Sequence, residues 1–204
     1  MLRCAAMVNV TLHKWMSFVD GENLTIRGQE LAKDKRLSIP EKGPYSWRDV
    51  FLWIPGWHGN NRQSCPTWPF LDAWAVRAYY YASFKGDDQM RDEIVDALRA
   101  LHFYPRIFKK TRPDEKAKAV DIALAKDMLS HAFLGNYEAA VLVTGDGDYV
   151  PLVEEVQHQG KRVVLWFFRG SSLNPALLRV VDDFYDITKG FLDLWQNPNV
   201  PLPG

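Results

Sequence analysis

The sequence predicts an α/β fold: a central, mostly parallel sheet of five strands with helices over both faces. Three observations carry this reading. Short apolar runs of strand length alternate along the chain with segments whose apolar residues recur at helical spacing. The run Ala140 to Thr144, within AAVLVTGDGDYVP, suits a buried strand that enters a glycine turn carrying Asp146 and Asp148. An earlier run, Trp15 to Val19, stops in the same manner at Asp20, so two predicted strands deliver acids to their carboxyl ends, where open α/β sheets bind ligands.

Bulk properties narrow the field further. At 204 residues the chain suits one domain spanning 1–204 and can bury a substantial core. Hydrophobic residues at 47% and charged residues at 25% are ordinary globular usage, which excludes a disordered or fibrous chain. A formal net charge of zero argues against wrapping in nucleic acid by bulk charge and leaves room for a local basic patch. Cys4 and Cys65 cannot make a zinc site alone, the five histidines show no ligand spacing, and a reducing compartment follows. No apolar run reaches the ~20 residues needed to cross a bilayer, and MLRCAAMVNVTLHKWM lacks the apolar stretch of a signal peptide. A cytoplasmic protein without a membrane partner is expected.

Taken in order, Trp15–Val19 is the first strand, and Asp20-Gly21-Glu22-Asn23 reads as a polar turn. Asp20 and Asn23 have a plain reading as turn formers that bond local backbone. From about 29 to 74 the pattern is irregular, with prolines at 40, 44, 55, 66 and 69 and five of the eight tryptophans (Trp47, Trp53, Trp57, Trp68, Trp74). Such an insertion packs its rings on the domain, stacks them on bases, or offers a contact to a second copy or a protein partner.

Val76–Phe84 is the second strand, rich in aromatics. Met90, Ile94, Ala97, Leu98 and Leu101 mark a helix over 89–102, and Tyr104–Phe108 a third strand. A basic run follows. Its Lys109, Lys110, Arg112 and Lys118, together with Arg27, are either a solvated surface or a rim that contacts substrate phosphates.

A helix over about 114–134 sets Asp121 on the same face as Ala117, Leu124, Ala125, Met128 and Ala132, at about 100° per residue. A carboxylate on a packing face needs a cation or a protein donor. Asp127 falls at the margin of that face, supporting the site or simply exposed. After the fourth strand, Tyr149–Gln159 is a helix closed by Gly160, and Asp148 can serve as its N-cap. Val163–Phe168 is the fifth strand, and 174–194 reads as a final helix interrupted near Gly190.

Asp20, Asp121 and Asp146 thus come from three separate segments to one edge. Two carboxylates ~4 Å apart repel by roughly 4 kcal/mol at an effective dielectric of about 20 unless a cation or a proton intervenes. An all-oxygen donor set favours Mg²⁺ or Mn²⁺ over zinc, and such ions promote in-line attack on a phosphodiester. No GxGxxG, GxxxxGK[ST] or GxSxG motif competes with this chemistry.

FVDGENL (18–24), KAVDIALAKDML (118–129), TGDGDYVPLVEEVQHQGKRVV (144–164) and LLRVVDDFYDI (177–187) together resemble the motifs of NYN domains, the LabA-like branch of the PIN-like nuclease superfamily. The resemblance implies a three-layer α/β/α sandwich and metal-dependent, endonucleolytic cleavage of RNA. It assigns catalytic and metal-binding roles to Asp20, Asp121, Asp146 and Asp148, supporting roles to Asn23, Asp127 and Thr144, and a late acidic position to Asp182. A non-catalytic RNA- or protein-binding module on the same fold, and a nucleotidase or phosphatase, are the alternatives.

Overall fold

The computed structural model describes residues 14–37, 74–100, 102–110, 118–170, 172–189 and 191–192, with two short strands at 46–47 and 51–52. The elements in order are β1 (Lys14–Asp20), α1 (Gly21–Asp34), β2 (Ser46–Trp47), β3 (Phe51–Leu52), β4 (Trp74–Phe84), α2 (Asp88–Ala100), β5 (Tyr104–Lys109), α3 (Lys118–Phe133), β6 (Ala139–Val143), α4 (Val150–His158), β7 (Arg162–Phe167), α5 (Pro175–Val180) and β8 (Asp183–Asp186). A single 3-10 turn, Gly147–Tyr149, precedes α4.

Six strands make one parallel sheet in the order β5-β4-β1-β6-β7-β8, where five were expected. The additional strand is β8. It was hidden inside the predicted helix over 174–194, which instead stops at Val180 because Val181 is already extended (φ −73°, ψ 153°). Asn174 caps α5 through the Ala176 amide, and Pro175 fills its first turn. β2 and β3 form a separate antiparallel ribbon. Of the Trp-rich insertion, 38–45, 48–50 and 53–73 lie outside the described residues.

A second correction concerns 21–34, expected to begin as a turn and become irregular. These residues form α1, whose buried positions are Gly21, Leu24, Thr25, Gly28 and Ala32. They recur at helical spacing, but apart from Leu24 the inner face is made of small side chains. A Cβ at Gly21 would overlap the Tyr80 ring, so α1 starts pressed against β4.

Right-handed crossovers place α1 and α2 on one face and α3, α4 and α5 on the other. The side chains of β4 report the two layers: Tyr80 meets Gly21 and Phe103, whereas Tyr79 and Tyr81 meet His131 and Asp127 of α3. β1 and β6 lie between other strands and are covered on both faces, so their residues are buried continuously rather than in alternation. Val19 pairs with Tyr80 on one side and Val143 on the other, which sets the ends of β1 and β6 level.

Candidate active site

The level ends of β1 and β6 bring Asp20 beside the Thr144–Asp148 turn. Asp20 is the last residue of β1 and also the N-cap of α1, and its side chain accepts from the Asn23 amide at 3.0 Å. Its turn-forming role and its place in a candidate site therefore coexist. Asn23 in turn accepts from the Gly145 amide at 2.9 Å, so one side chain ties the first loop to the second. Thr144 is fully buried; its hydroxyl donates to Asp20 at 3.2 Å and accepts from the Asp146 amide at 3.2 Å.

Glycine at 145 is required by space. A Cβ there would run into the Phe167 ring and the Ser172 carbonyl oxygen. Asp146 bends the loop by accepting from the Asp148 amide at 3.0 Å, which caps the 3-10 turn. The capping acid is thus Asp146; Asp148, whose alternative reading was the cap of the following helix, has its side chain exposed at the front of the turn.

The fourth acid comes from α3. Asp121 was expected on the packing face, but it is exposed at the amino end of α3, where its carboxyl accepts from the Tyr149 hydroxyl at 3.1 Å. The same hydroxyl lies 3.3 Å from the Asp20 carboxylate. Asp20 is 3% exposed, and burial, reinforced by the Asp121 charge, pushes its pKa up to about 7 against the bonds from Asn23, Thr144 and Tyr149. Partial burial also raises Asp121, with Asp146, Glu22 and Asp148 adding like charge. Burial raises the Tyr149 phenol, and the two carboxylates push the same way. Among the described residues, no Lys or Arg forms an ion pair with any of the four acids.

The supporting acids separate. Asp127 is the buried acid of α3, about 9 Å along the helix from Asp121 at 1.5 Å per residue; it accepts from the Tyr81 hydroxyl at 3.0 Å and pairs with Arg106 at 3.3 Å. Asp182 sits at the opposite edge of the sheet, where it accepts from the Val163 amide at 2.7 Å and from Gln157 at 3.2 Å. Its work there is to finish the start of β7.

The candidate phosphate contacts also divide. Arg27 pairs with Glu30 at 2.8 Å on exposed α1, and Lys109 reaches Asp88 at 3.4 Å. Lys110 pairs with Glu22 at 2.6 Å in a half-buried bridge that also receives the Ser83 hydroxyl. Arg112 and the Lys118 side chain lie outside the described residues. Glu22 and Tyr149 were not singled out in the sequence, although both sit inside the quoted motifs, DGEN and GDGDY.

In chemistry the donor set suits a hard divalent cation, since it offers carboxylates, a hydroxyl and an amide without thiolate or imidazole. In geometry the acids are not gathered on a point: among the described residues, no three His, Cys, Asp or Glu side chains stand close enough to hold a metal ion. No helix among the described residues is long and apolar enough to cross a membrane.

Fold and motifs together define a class, the PIN-like, nuclease-type α/β domain. The chain belongs to the NYN domain family, whose sequence profile matches residues 14–188. A crystal structure of a protein of unknown function from Vibrio parahaemolyticus is similar at 22% identity and a TM-score of 0.61, over 91% of this chain and 99% of that one, which supports the fold. No curated protein sequence matches the chain.

Proposed function

We propose that this protein is a metal-dependent endoribonuclease that hydrolyses RNA phosphodiester bonds at the carboxyl edge of its sheet. The observation that carries the reading is Asp20: a carboxylate 3% exposed, joined through one phenol to Asp121, with no basic partner among the described residues. Buried charges of that kind are usually paired or bound to a cation. Asp20, Asp121, Asp146 and Asp148 would hold Mg²⁺ or Mn²⁺, which when bound supplies Lewis-acid chemistry: a more acidic water and stabilised charge on a phosphoryl oxygen.

The chain's own residues position that edge. Asn23 holds the Gly145 amide, Thr144 orients Asp20 and the Asp146 amide, and Tyr149 keeps Asp20 and Asp121 facing each other. The exposed Asp148 is free to meet substrate or a water at the front of the turn.

The test is cleavage of a labelled RNA with and without added Mn²⁺, beside Asp146→Asn. Cleavage that needs the ion and disappears in the variant supports the proposal. A non-catalytic binding module is the second reading, favoured by the bonds that engage the acids within the chain, from Tyr149 to Asp20 and Asp121 and from Thr144 to Asp20; retention of RNA without cleavage under either condition would select it.

A further inference from the structure

Away from the acid edge, the α3 side of β5 carries side chains that the hydrolytic chemistry does not use. Alternation along an edge strand puts Tyr104, Arg106, Phe108 and Lys110 on one face. Register confirms it, since Tyr104 sits beside Tyr79, Arg106 beside Tyr81 and Phe108 beside Ser83. From Tyr104 to Lys110 the strip runs about 20 Å at 3.3 Å per residue. Its upper end, Lys110, pairs with Glu22, whose charge is felt by Asp121, so the strip leads into the acid edge.

The lower part is both aromatic and cationic, and open. Tyr104 is 50% exposed, and the Arg77 guanidinium lies 4.3 Å from its ring centroid. Arg106 is equally exposed, stacks over Tyr79 at 5.6 Å and touches Asp127. Lys126, on the adjoining turn of α3, is also exposed. Asp127 is an acid on this face, and Tyr81, Arg106 and, at 3.6 Å, Lys126 occupy it, which leaves the strip with an excess of positive charge.

We infer that this strip seats single-stranded RNA on its way to the acid edge, with Tyr104, one face of its ring backed by Arg77, as a stacking platform for an unpaired base and Arg106 and Lys126 facing the backbone phosphates. Aromatic faces interleaved with cations fit that partner: stacking needs an unpaired base, and the charges complement a polyanion. A duplex keeps its bases stacked on each other and cannot use the platform. The inference rests on the nuclease reading for the identity of the acid edge, but it concerns binding and is tested apart from turnover.

The experiment uses the full chain carrying Asp146→Asn, without added metal, and measures fluorescence anisotropy of a labelled oligoadenylate and of an RNA hairpin of equal charge. Tyr104→Ala should weaken single-strand binding about tenfold, Tyr104→Phe should leave it within about twofold, and the exposed Lys126→Glu should weaken it without lowering the melting temperature. Single-strand affinity unchanged in both Tyr104→Ala and Lys126→Glu would overturn the inference. So would hairpin binding as tight as oligoadenylate binding, or a loss of self-association in place of RNA affinity, which would make the strip a protein contact. If the strip variants weaken RNA binding while the parent chain never cleaves, the strip stands and the nuclease reading falls. If the parent cleaves and the variants bind normally, the reverse holds.

Discussion

The Tyr149 hydroxyl stands 3.3 Å from the Asp20 carboxylate while also reaching Asp121 at 3.1 Å. A phenol has one proton and two carboxylates need it, so the second contact is satisfied only when an acid is itself protonated or a cation joins the group. Burial of Asp20 works in the same direction, because it favours the neutral acid.

Stability should therefore depend on pH through Asp20. A carboxyl with a folded pKa of about 7 and an ordinary value of 3.8 binds more protons when folded than when unfolded between those limits. Stability attached to this group is complete below pH ~4, falls as pH rises through the window and levels off above ~7, by at most about 4 kcal/mol at 1.36 kcal/mol per unit. Asp20→Asn imitates the neutral acid and should remove that slope. Urea denaturation at about pH 5 and pH 8 checks the sign: the variant gains on the parent at the higher pH. An equal difference at both would dismiss Asp20 as the titrating group.

Metal should rescue the same defect. At about pH 8, Mn²⁺ at a hundred times its dissociation constant is expected to stabilise the parent by about 2.7 kcal/mol and to have much less effect on Asp20→Asn. Thermal unfolding with and without the ion, and after chelation, makes the comparison.

Tyr149→Phe keeps the ring and deletes the bridge. Loss of one hydrogen bond to a buried acid should cost about 1–2 kcal/mol near neutral pH, and the Asp20 carboxyl should titrate still higher once that donor is gone. Carbon-detected NMR titration of the Asp20 carboxyl reads the shift directly; a downward movement would show that the phenol does not favour the charged form.

Asp127 and Asp148 should separate stability from activity. Asp127→Ala strands Arg106 and the Tyr81 hydroxyl and is expected to lose about 2 kcal/mol, with any hydrolysis per folded molecule largely kept. Asp148→Ala, on an exposed side chain, should unfold like the parent and lose most hydrolysis. Denaturation curves paired with rates per active molecule check both.

Much of the architecture was legible because it is written in large apolar side chains. VLV of β6 and VVLWF of β7 can hardly be anything but covered strands. What could not be read is written in small or polar residues. α1 faces the sheet with glycine, threonine and alanine around a single leucine, Leu24, and β8 is four residues, DFYD, stabilised by its place beside β7 rather than by its own pattern. At the site, periodicity placed Asp121 and Asp127 on or near one helical face but could not say which end of α3 would overhang the sheet. In the fold the first turn of α3 leaves Asp121 and Ile122 exposed, while Asp127 further along is buried. Asp182 matches a late acidic position of the motif, but a motif match records order along the chain and not which edge of the sheet a residue reaches, here the start of β7.

The strand order also dictates when the acid edge can exist during synthesis. β1 emerges first yet lies between β4 and β6, and its Val19 meets Val143, some 120 residues later. Loop closure over that distance is slow, and until the second half of the chain leaves the ribosome one side of β1 lacks its neighbour. Asp20 and Asp146 are therefore strangers for most of translation, so a nascent chain cannot display the complete edge before its own fold is nearly finished.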